Sequence, residues 1–269
     1  MAITIGSFEL PLYGLFFFIG IGVAAAVGVF LMKKRKIDGF EFTCAAVYTM
    51  IGAMIGAKLL YVLVTLRPII ILMRAGVIGI MDIVKGGFVF YGGLLGGAFG
   101  LWVYGKQFKM DMRDFFDLFA TLLPLGHAFG RIGCYFAGCC YGMEYHGFLS
   151  LPSWDASAGA WGVNRLPVQL LEAGVLLILF GVLLYLYLKK DKVGLNASVY
   201  GLVYAGWRFF IEFFRGDKER GVFLISTSQW ISLGIIALIV TLYLIKRYRK
   251  KKHPKEELPQ EEIKQEIKE

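Results

Sequence analysis

Residues 126–142, GHAFGRIGCYFAGCCYG, place a guanidinium, an imidazole and three thiols close together. They lie at the end of a long apolar segment that is otherwise almost free of charge. A cation at membrane depth costs a few kcal/mol even on the most lenient scale, so Arg131 is a candidate functional residue. If the segment is helical, His127, Arg131 and Cys134 stand at i, i+4 and i+7 and share one face.

A second group of charges lies in the aromatic segment 204–215, YAGWRFFIEFFR. On a helix, Arg208, Glu212 and Arg215 would form one charged stripe. One interpretation is a self-neutralising pair of Arg208 and Glu212 with Arg215 at the membrane surface, since pairing lowers the cost of burial. The other is an anionic ligand between Arg131 and Arg208, because two planar guanidinium groups suit a phosphate.

Further polar side chains in apolar segments have both an ordinary and a functional interpretation. Tyr13 is typical of an aromatic residue at the membrane interface. The glycines around Tyr91, in GGFVFYGGLLGG, favour tight helix packing, and a phenol inside a cleft is the alternative. Gln169 and Glu172 share one helix face at i and i+3. For Glu172, ion pairing is the more frequent role, and proton acceptance is the other.

The composition indicates an all-α, polytopic integral membrane protein. The 269 residues are 57% hydrophobic, and their mean hydropathy is +0.63. The net charge of +9 lies mostly in loops and the tail, so it indicates no nucleic-acid partner. The adjacent Cys139 and Cys140 lack a standard zinc spacing, so we predict no metal site and no cofactor. The first residues lack a signal-peptide pattern, so we expect the first apolar segment to be retained.

About 20 apolar residues are needed to cross the hydrocarbon core. Seven segments are predicted to do so, near 10–32, 42–66, 86–105, 115–141, 167–188, 195–214 and 226–246. Between the second and third, residues 67–87 mix apolar and charged side chains and predict a helix in the headgroup plane. Lys58, near the middle of the second segment, is expected to pair with a carboxylate or a lipid phosphate.

The positions of lysine and arginine predict an outside amino terminus and an inside carboxyl terminus. In that orientation the cytoplasmic side carries the basic groups at 33–36, 106–113 and 189–192, together with those of the tail. Residues 1–246 are then the integral membrane domain, and residues 247–269 are a charged cytoplasmic tail that contacts anionic lipid. The loop 143–164 lies outside, where it could cover a site.

These motifs together resemble the prolipoprotein diacylglyceryl transferase family. The resemblance covers about Leu12 to Ile245, and the order of its motifs and the layout of seven spans fit too. The matching pieces are LYGL around Tyr13, GGFVFYGGLLGG around Tyr91, GRIGCYFAGCCYG from Gly130 to Gly142, RLPVQLLEA from Arg165, and YAGWRFFIEFFR from Tyr204 to Arg215.

The resemblance implies an enzyme of the bacterial plasma membrane. It would move the diacylglyceryl group of phosphatidylglycerol to the thiol of a lipobox cysteine in a precursor protein and release glycerol phosphate. Arginines that bind the developing phosphate charge would help the leaving group depart, and a base would convert the thiol to a thiolate. Catalytic roles are expected for Arg131, Arg208, Tyr91, His127 and Glu212. Substrate-binding roles are expected for Tyr13, Cys134, Gly142, Tyr204, Gln169 and Glu172.

The chain departs from the family pattern at four positions, which indicates a divergent member. Tyr91 and Leu166 stand where the family usually has histidine, Cys134 stands for asparagine, and Cys139 stands for glutamate. We hypothesise that His127, one turn before Arg131, replaces the lost histidine.

Two other functions remain open. A related enzyme could transfer a glycerolipid unit to a different acceptor, which the four replacements would explain. A metal or redox membrane protein could use the cysteines together with His127, although small buried cysteines are commonly unreactive.

Overall fold

The computed structural model describes residues 2–5, 8–155, 159–189, 194–216, 221–222 and 225–252, and most of them are helical. The helices are α1 (Leu12–Arg35), α2 (Gly39–Val64), α3 (Leu66–Arg74), α4 (Ile80–Lys85), α5 (Phe90–Phe108), α6 (Arg113–Ala137), α7 (Val168–Lys189), α8 (Leu195–Ile211) and α9 (Thr227–Lys252). A 3-10 turn, Glu212–Phe214, continues α8.

Each of the seven predicted spans coincides with a long helix, so the helical membrane fold is confirmed. Four of the helices in the described ranges are long and apolar enough to cross a bilayer, namely Leu12–Arg35, Gly39–Val64, Val168–Lys189 and Thr227–Ile245. The other three predicted spans overlap α5, α6 and α8. Helix α6 carries Arg131, and α8 carries Arg208. The number of spans and their orientation stay predictions. Residues 67–87 form the short helices α3 and α4.

The distribution of side chains is that of a protein surrounded by lipid. Phe18 on α1 and Ile178 on α7 are both 71% exposed, whereas Glu172 and Arg208 are 2% and 4% exposed. A protein in water would bury the apolar residues and expose the charged ones. In a bilayer, ionisable side chains face the interior of the bundle, as they do here.

Glycines bring α2 and α5 into backbone contact. A Cβ atom added at Gly96 would lie 2.2 Å from the carbonyl oxygen of Gly52, and one added at Gly56 would lie 2.3 Å from that of Gly92. Such distances leave no room for any side chain between the two helices. The glycines around Tyr91 therefore serve tight packing, which was the ordinary interpretation of this segment.

Buried polar contacts hold the start of α8 against α6. Asp117 on α6 accepts hydrogen bonds from the backbone N–H groups of Gly194 and Ala197, at 2.7 and 3.3 Å. Asn196 donates to the hydroxyl of Thr121 at 2.7 Å and to the carbonyl of Leu183 at 2.9 Å. These contacts fix the rotation of α8, and hence the direction in which its later residues point.

Three two-stranded antiparallel hairpins in the described residues add to the expected all-α fold. They pair β1 (Ala2–Ile5) with β2 (Phe8–Pro11), β3 (Leu151–Asp155) with β4 (Ala160–Arg165), and β5 (Gly221–Val222) with β6 (Ile225–Ser226). The loop 143–164 is thus largely a hairpin, which periodicity could not reveal because its strands are short and exposed. Its Pro152 carbonyl accepts a hydrogen bond of 3.0 Å from Tyr135 at the end of α6.

Lys58 pairs with backbone carbonyls and not with a carboxylate among the described residues, and its pairing with a lipid phosphate stays a prediction. Its ammonium donates to the backbone carbonyls of Ile83, Gly86 and Gly87, at 3.1, 2.9 and 3.4 Å. The rings of Tyr61 and Phe88 lie 5.1 and 4.5 Å from the same nitrogen. Backbone carbonyls and aromatic faces satisfy the cation here without a carboxylate.

Some residues used in the sequence predictions lie outside the described ranges. These are the basic residues Lys190 and Lys192, and the tail from 253 onward. The preceding residues 247–252 of the predicted tail continue α9 as helix.

Candidate active site

The carboxylate of Glu172 on α7 is the centre of the charged cluster. Its Oε1 atom lies 3.0 Å from Nη2 of Arg131 on α6 and accepts a hydrogen bond of 2.9 Å from the Tyr204 hydroxyl on α8. Arg131 also donates to the Tyr204 hydroxyl at 3.3 Å. Helices α6, α7 and α8 therefore meet at one ion pair. Of the two roles considered for Glu172, ion pairing is the one that its contacts show.

The ion pairs continue from Glu172 to the end of α8. Nη1 of Arg208 lies 4.0 Å from Oε2 of Glu172, and Nη2 of Arg208 lies 2.6 Å from Oε2 of Glu212. Nε of Arg215 lies 3.9 Å from the same oxygen of Glu212. The predicted pair of Arg208 and Glu212 thus forms. The prediction of one continuous helical stripe is wrong, because α8 ends at Ile211 and Arg215 has extended backbone.

The five side chains alternate in sign, so each glutamate lies between two arginines. We refer to Arg131, Glu172, Arg208, Glu212 and Arg215 as the charge ladder. Within it, Arg131 and Arg208 both contact the single carboxylate of Glu172. A buried guanidinium group is costly unless it is paired, so arginines that share a carboxylate are candidates to bind an anion.

Two donor groups of the charge ladder have no hydrogen-bond partner among the described residues. Nε of Arg131 and Nη1 of Arg208 are buried and form no hydrogen bond with any described residue. Since buried polar groups are usually satisfied, such donors are candidates to bind a ligand. Both arginines contact the same carboxylate, so their unused donors flank Glu172.

His127 is placed one turn from Arg131 but has other contacts. Its Nδ1 lies 3.4 Å from the Tyr200 hydroxyl, and its ring stacks on Phe90 at 4.3 Å between centroids. The ring of Tyr204 lies 4.8 Å away. His127 is thus connected to the ladder through Tyr204, which hydrogen-bonds Arg131 and Glu172.

Tyr91 at the start of α5 also reaches this region. Its hydroxyl is buried, and it interacts electrostatically with Arg208, Glu172 and Arg131. The hydroxyl forms no hydrogen bond with any residue in the described ranges. Tyr91 therefore has a buried hydroxyl close to the charge ladder, and its functional role stays a prediction.

Three backbone segments meet beside the ladder, and we call this meeting the strand junction. Residues 141–143 pair with 214–216 through Met143 N–H to the Phe214 carbonyl, at 2.9 Å, and Gly216 N–H to the Tyr141 carbonyl, at 3.0 Å. Leu166 N–H donates to the Met143 carbonyl at 3.0 Å. A Cβ atom at Gly142 would lie 2.2 Å from the Leu166 carbonyl oxygen. Gly142 is therefore required by this close approach.

Tyr13 and Gln169, two of the predicted substrate-binding residues, lie close to α6 and the loop that follows it. The Cα atom of Tyr13 lies against Gly133 on α6, where an added Cβ would be only 3.3 Å away. Gln169 donates to the Cys139 carbonyl at 2.8 Å and so ties the loop after α6 to α7. Both residues thus contact the segment that carries Arg131.

The sulfur atoms of Cys134, Cys139 and Cys140 all lie within 4.8 Å of one another. Helix α6 ends at Ala137, and Gly138 then has the left-handed backbone with φ of 70°. Cys140 has φ of 60°. This sharp turn folds the two adjacent cysteines back to Cys134, a proximity that the sequence spacing did not indicate.

Two contacts to the site were missed by the sequence analysis. Ser228 on α9 accepts a hydrogen bond of 3.2 Å from Arg208, and Tyr200 contacts His127. Serine and tyrosine occur widely in membrane helices, so neither residue stood out. A signal for Tyr200 exists in its spacing of four residues from Tyr204.

Comparison with known proteins identifies the family. A family description, "prolipoprotein diacylglyceryl transferase", matches residues 1–245. The phosphatidylglycerol–prolipoprotein diacylglyceryl transferase of Clostridium tetani is 33% identical over 89% of this chain and 95% of its own length. A second protein of that name from Clostridium perfringens is 33% identical, over 92% and 96%, and one from Dehalococcoides mccartyi is 30% identical, over 92% and 93%. The chain therefore belongs to the prolipoprotein diacylglyceryl transferase family, which is a family of membrane transferases.

Proposed function

We propose that the chain transfers the diacylglyceryl group of phosphatidylglycerol to the thiol of a lipobox cysteine and releases glycerol phosphate. The charge ladder is the observation that carries this proposal. It offers buried, unused donors on Arg131 and Arg208 to an anion at membrane depth. A lipid phosphodiester is such an anion, and the names of the relatives specify phosphatidylglycerol as theirs.

Arg131 and Arg208 would bind the phosphate and stabilise its leaving state. The phosphodiester carries one negative charge, and the departing monoester carries up to two. Guanidinium groups held in place by Glu172 and Glu212 need little reorganisation when this charge develops. Tyr204 hydrogen-bonds both Arg131 and Glu172 and keeps this geometry.

His127 is the candidate proton acceptor for the incoming thiol. It lies on the same helix as Arg131 and is connected to the ladder through Tyr204. Tyr91 would contact the substrate near Arg208. Tyr13, Gln169, Cys134 and Gly142 would shape the binding region, because all four lie on or against the segment from Arg131 to the strand junction.

The proposed setting is the bacterial plasma membrane, with the site toward its outer face. Phosphatidylglycerol and a secreted precursor are both available there. This setting agrees with the membrane fold and with an outside amino terminus.

Release of glycerol phosphate by purified protein, given phosphatidylglycerol and a lipobox peptide, tests the proposal. Arg131→Ala should lower the rate by about 10²-fold or more, since it removes a donor to the developing charge. Arg131→Lys keeps the charge but loses the planar fork, so it should be intermediate. Arg113→Ala is the matched control, because Arg113 is on the same helix with a side chain 74% exposed.

Release that requires both the peptide and Arg131 supports the transferase. Release without the peptide would instead point to a different acceptor. No release with the wild type, in a sample shown to contain bound lipid, would overturn the proposal.

A further inference from the structure

The three thiols lie directly beside the proposed site. Cys134 is one turn after Arg131 on α6. Gln169, one turn before Glu172 on α7, binds the carbonyl of Cys139. The thiols are accessible as well, since Cys139 is exposed and the other two are partly exposed. They form a cluster open to a substrate rather than a sealed structural site.

The spacing of the sulfur atoms suits a thiophilic metal ion. In a tetrahedral site with metal–sulfur distances of about 2.3 Å, neighbouring sulfur atoms are about 3.8 Å apart. Here all three lie within 4.8 Å of one another, so a small contraction would bring them onto one ion. Three thiolates around a divalent cation have a net charge of −1, which the guanidinium group of Arg131, one turn before Cys134 on α6, would stabilise.

We propose that Cys134, Cys139 and Cys140 bind a divalent thiophilic cation of the zinc type, whose fourth position takes the thiol of the acceptor. Three protein ligands and one open position are the arrangement of catalytic rather than structural zinc sites. A metal ion that binds a thiol favours its thiolate form at neutral pH. This proposal rests on the proposed function, because it names the group that holds the acceptor sulfur.

The chemical step balances without an oxidant or reductant. When the acceptor thiol binds the cation it loses its proton to water, from which a base such as His127 can accept it. The sulfur electron pair then forms a bond to the glyceryl carbon that bears the phosphate ester. The bond between that carbon and the ester oxygen breaks, and its electron pair leaves on glycerol phosphate. The cation keeps its charge and coordinates the thioether product only weakly.

Metal binding can be measured without any enzyme activity. Full-length protein in detergent, freed of metal by a chelator, is titrated with Co²⁺, which gives sulfur-to-metal charge-transfer absorption when thiolates bind it. We expect this absorption in the wild type and its loss in Cys139→Ser and Cys140→Ser. Cys44→Ser is the matched control and should keep it, because Cys44 packs in a separate core of α1, α2, α5 and α6. Absence of the absorption in the wild type would overturn the site.

The role of the open position is tested by adding a lipobox peptide to the Co²⁺-loaded protein. A change in the absorption with the cysteine peptide, and none with its serine analogue, supports thiol coordination. An unchanged spectrum would overturn that role. Peptide-dependent release of glycerol phosphate could continue after chelation and in Cys139→Ser. That result would overturn the proposed metal role, and the proposed transferase function would stand. If the protein binds Co²⁺ but releases no glycerol phosphate when loaded with either Co²⁺ or Zn²⁺, the proposed transferase function is overturned and the metal site stands.

Discussion

Glu172 is the single residue on which the charge ladder depends most. Replacing it with glutamine keeps the size of the side chain but leaves Arg131 and Arg208 without their shared carboxylate. Breaking a buried ion pair in this way costs about 3–5 kcal/mol. We therefore expect Glu172→Gln to lower the thermal unfolding midpoint in detergent and to reduce transfer activity.

The matched control is Glu144→Gln, because Glu144 is exposed in the loop after α6. It should change neither measurement. Anionic lipid should raise the unfolding midpoint of Glu172→Gln more than that of the wild type, since the lipid phosphate can replace the lost negative charge. Equal unfolding midpoints for Glu172→Gln and the wild type would contradict the central position of Glu172.

His127 gives a second prediction at the scale of a residue. Changing His127 to alanine should abolish transfer while leaving binding of phosphatidylglycerol in place, because the arginines are untouched. His146→Ala is the control, since His146 is exposed. Transfer at the wild-type rate by His127→Ala would rule out His127 as the proton acceptor.

The sequence was sufficient to select Arg131, Arg208, Glu172 and Glu212, because charged residues in apolar segments are conspicuous. It could not show that Glu172 lies between the two arginines, since those contacts join α6, α7 and α8, which are far apart in the chain. The sequence placed the three thiols in one segment, but it could not show that their sulfur atoms meet, for a local reason. The geometry of the thiol cluster depends on the left-handed backbone at Gly138 and Cys140, and spacing rules for metal ligands do not include such a turn.

At the scale of elements, we expect that a methyl group added at a glycine between α2 and α5 destabilises the fold. In Gly96→Ala the new Cβ would meet the Gly52 carbonyl oxygen at 2.2 Å, so the helices must separate. We expect a loss of about 1–3 kcal/mol, typical of overpacking, and a lower unfolding midpoint. Gly181→Ala on α7 is the control, because nothing lies within 4 Å of its added Cβ. Similar midpoints for the two variants would contradict this packing.

The sequence predicted the elements unevenly. The long helices follow from apolar length alone, and each overlaps its predicted segment, although α5 begins at Phe90 rather than 86 and α6 ends at Ala137 rather than 141. The β3–β4 hairpin was not found, because only two strands form it and its side chains are mostly exposed. The sixth segment was predicted to end at 214, whereas α8 ends at Ile211. The prediction ran past the end because aromatic residues continue through the 3-10 turn Glu212–Phe214.

At the scale of the whole molecule, the orientation is open to a direct test. A protease site inserted after Phe148, which is 99% exposed, should be cleaved by protease added outside spheroplasts. The same site inserted after Lys109, in the exposed loop before α6, should be cleaved only after the membrane is opened. The reverse pattern would show that the amino terminus is inside and would place the strand junction on the cytoplasmic face.

The strand junction has a mechanical consequence for an enzyme in a bilayer. Helices tilt as the bilayer thins or thickens, and their ends would normally drift apart. Here backbone hydrogen bonds join the segments that follow α6, precede α7 and follow α8, so these three ends must move together. The distance between Arg131 and Arg208 should then depend little on the length of the surrounding acyl chains. The transferase would keep its catalytic geometry when the cell changes the lipids around it.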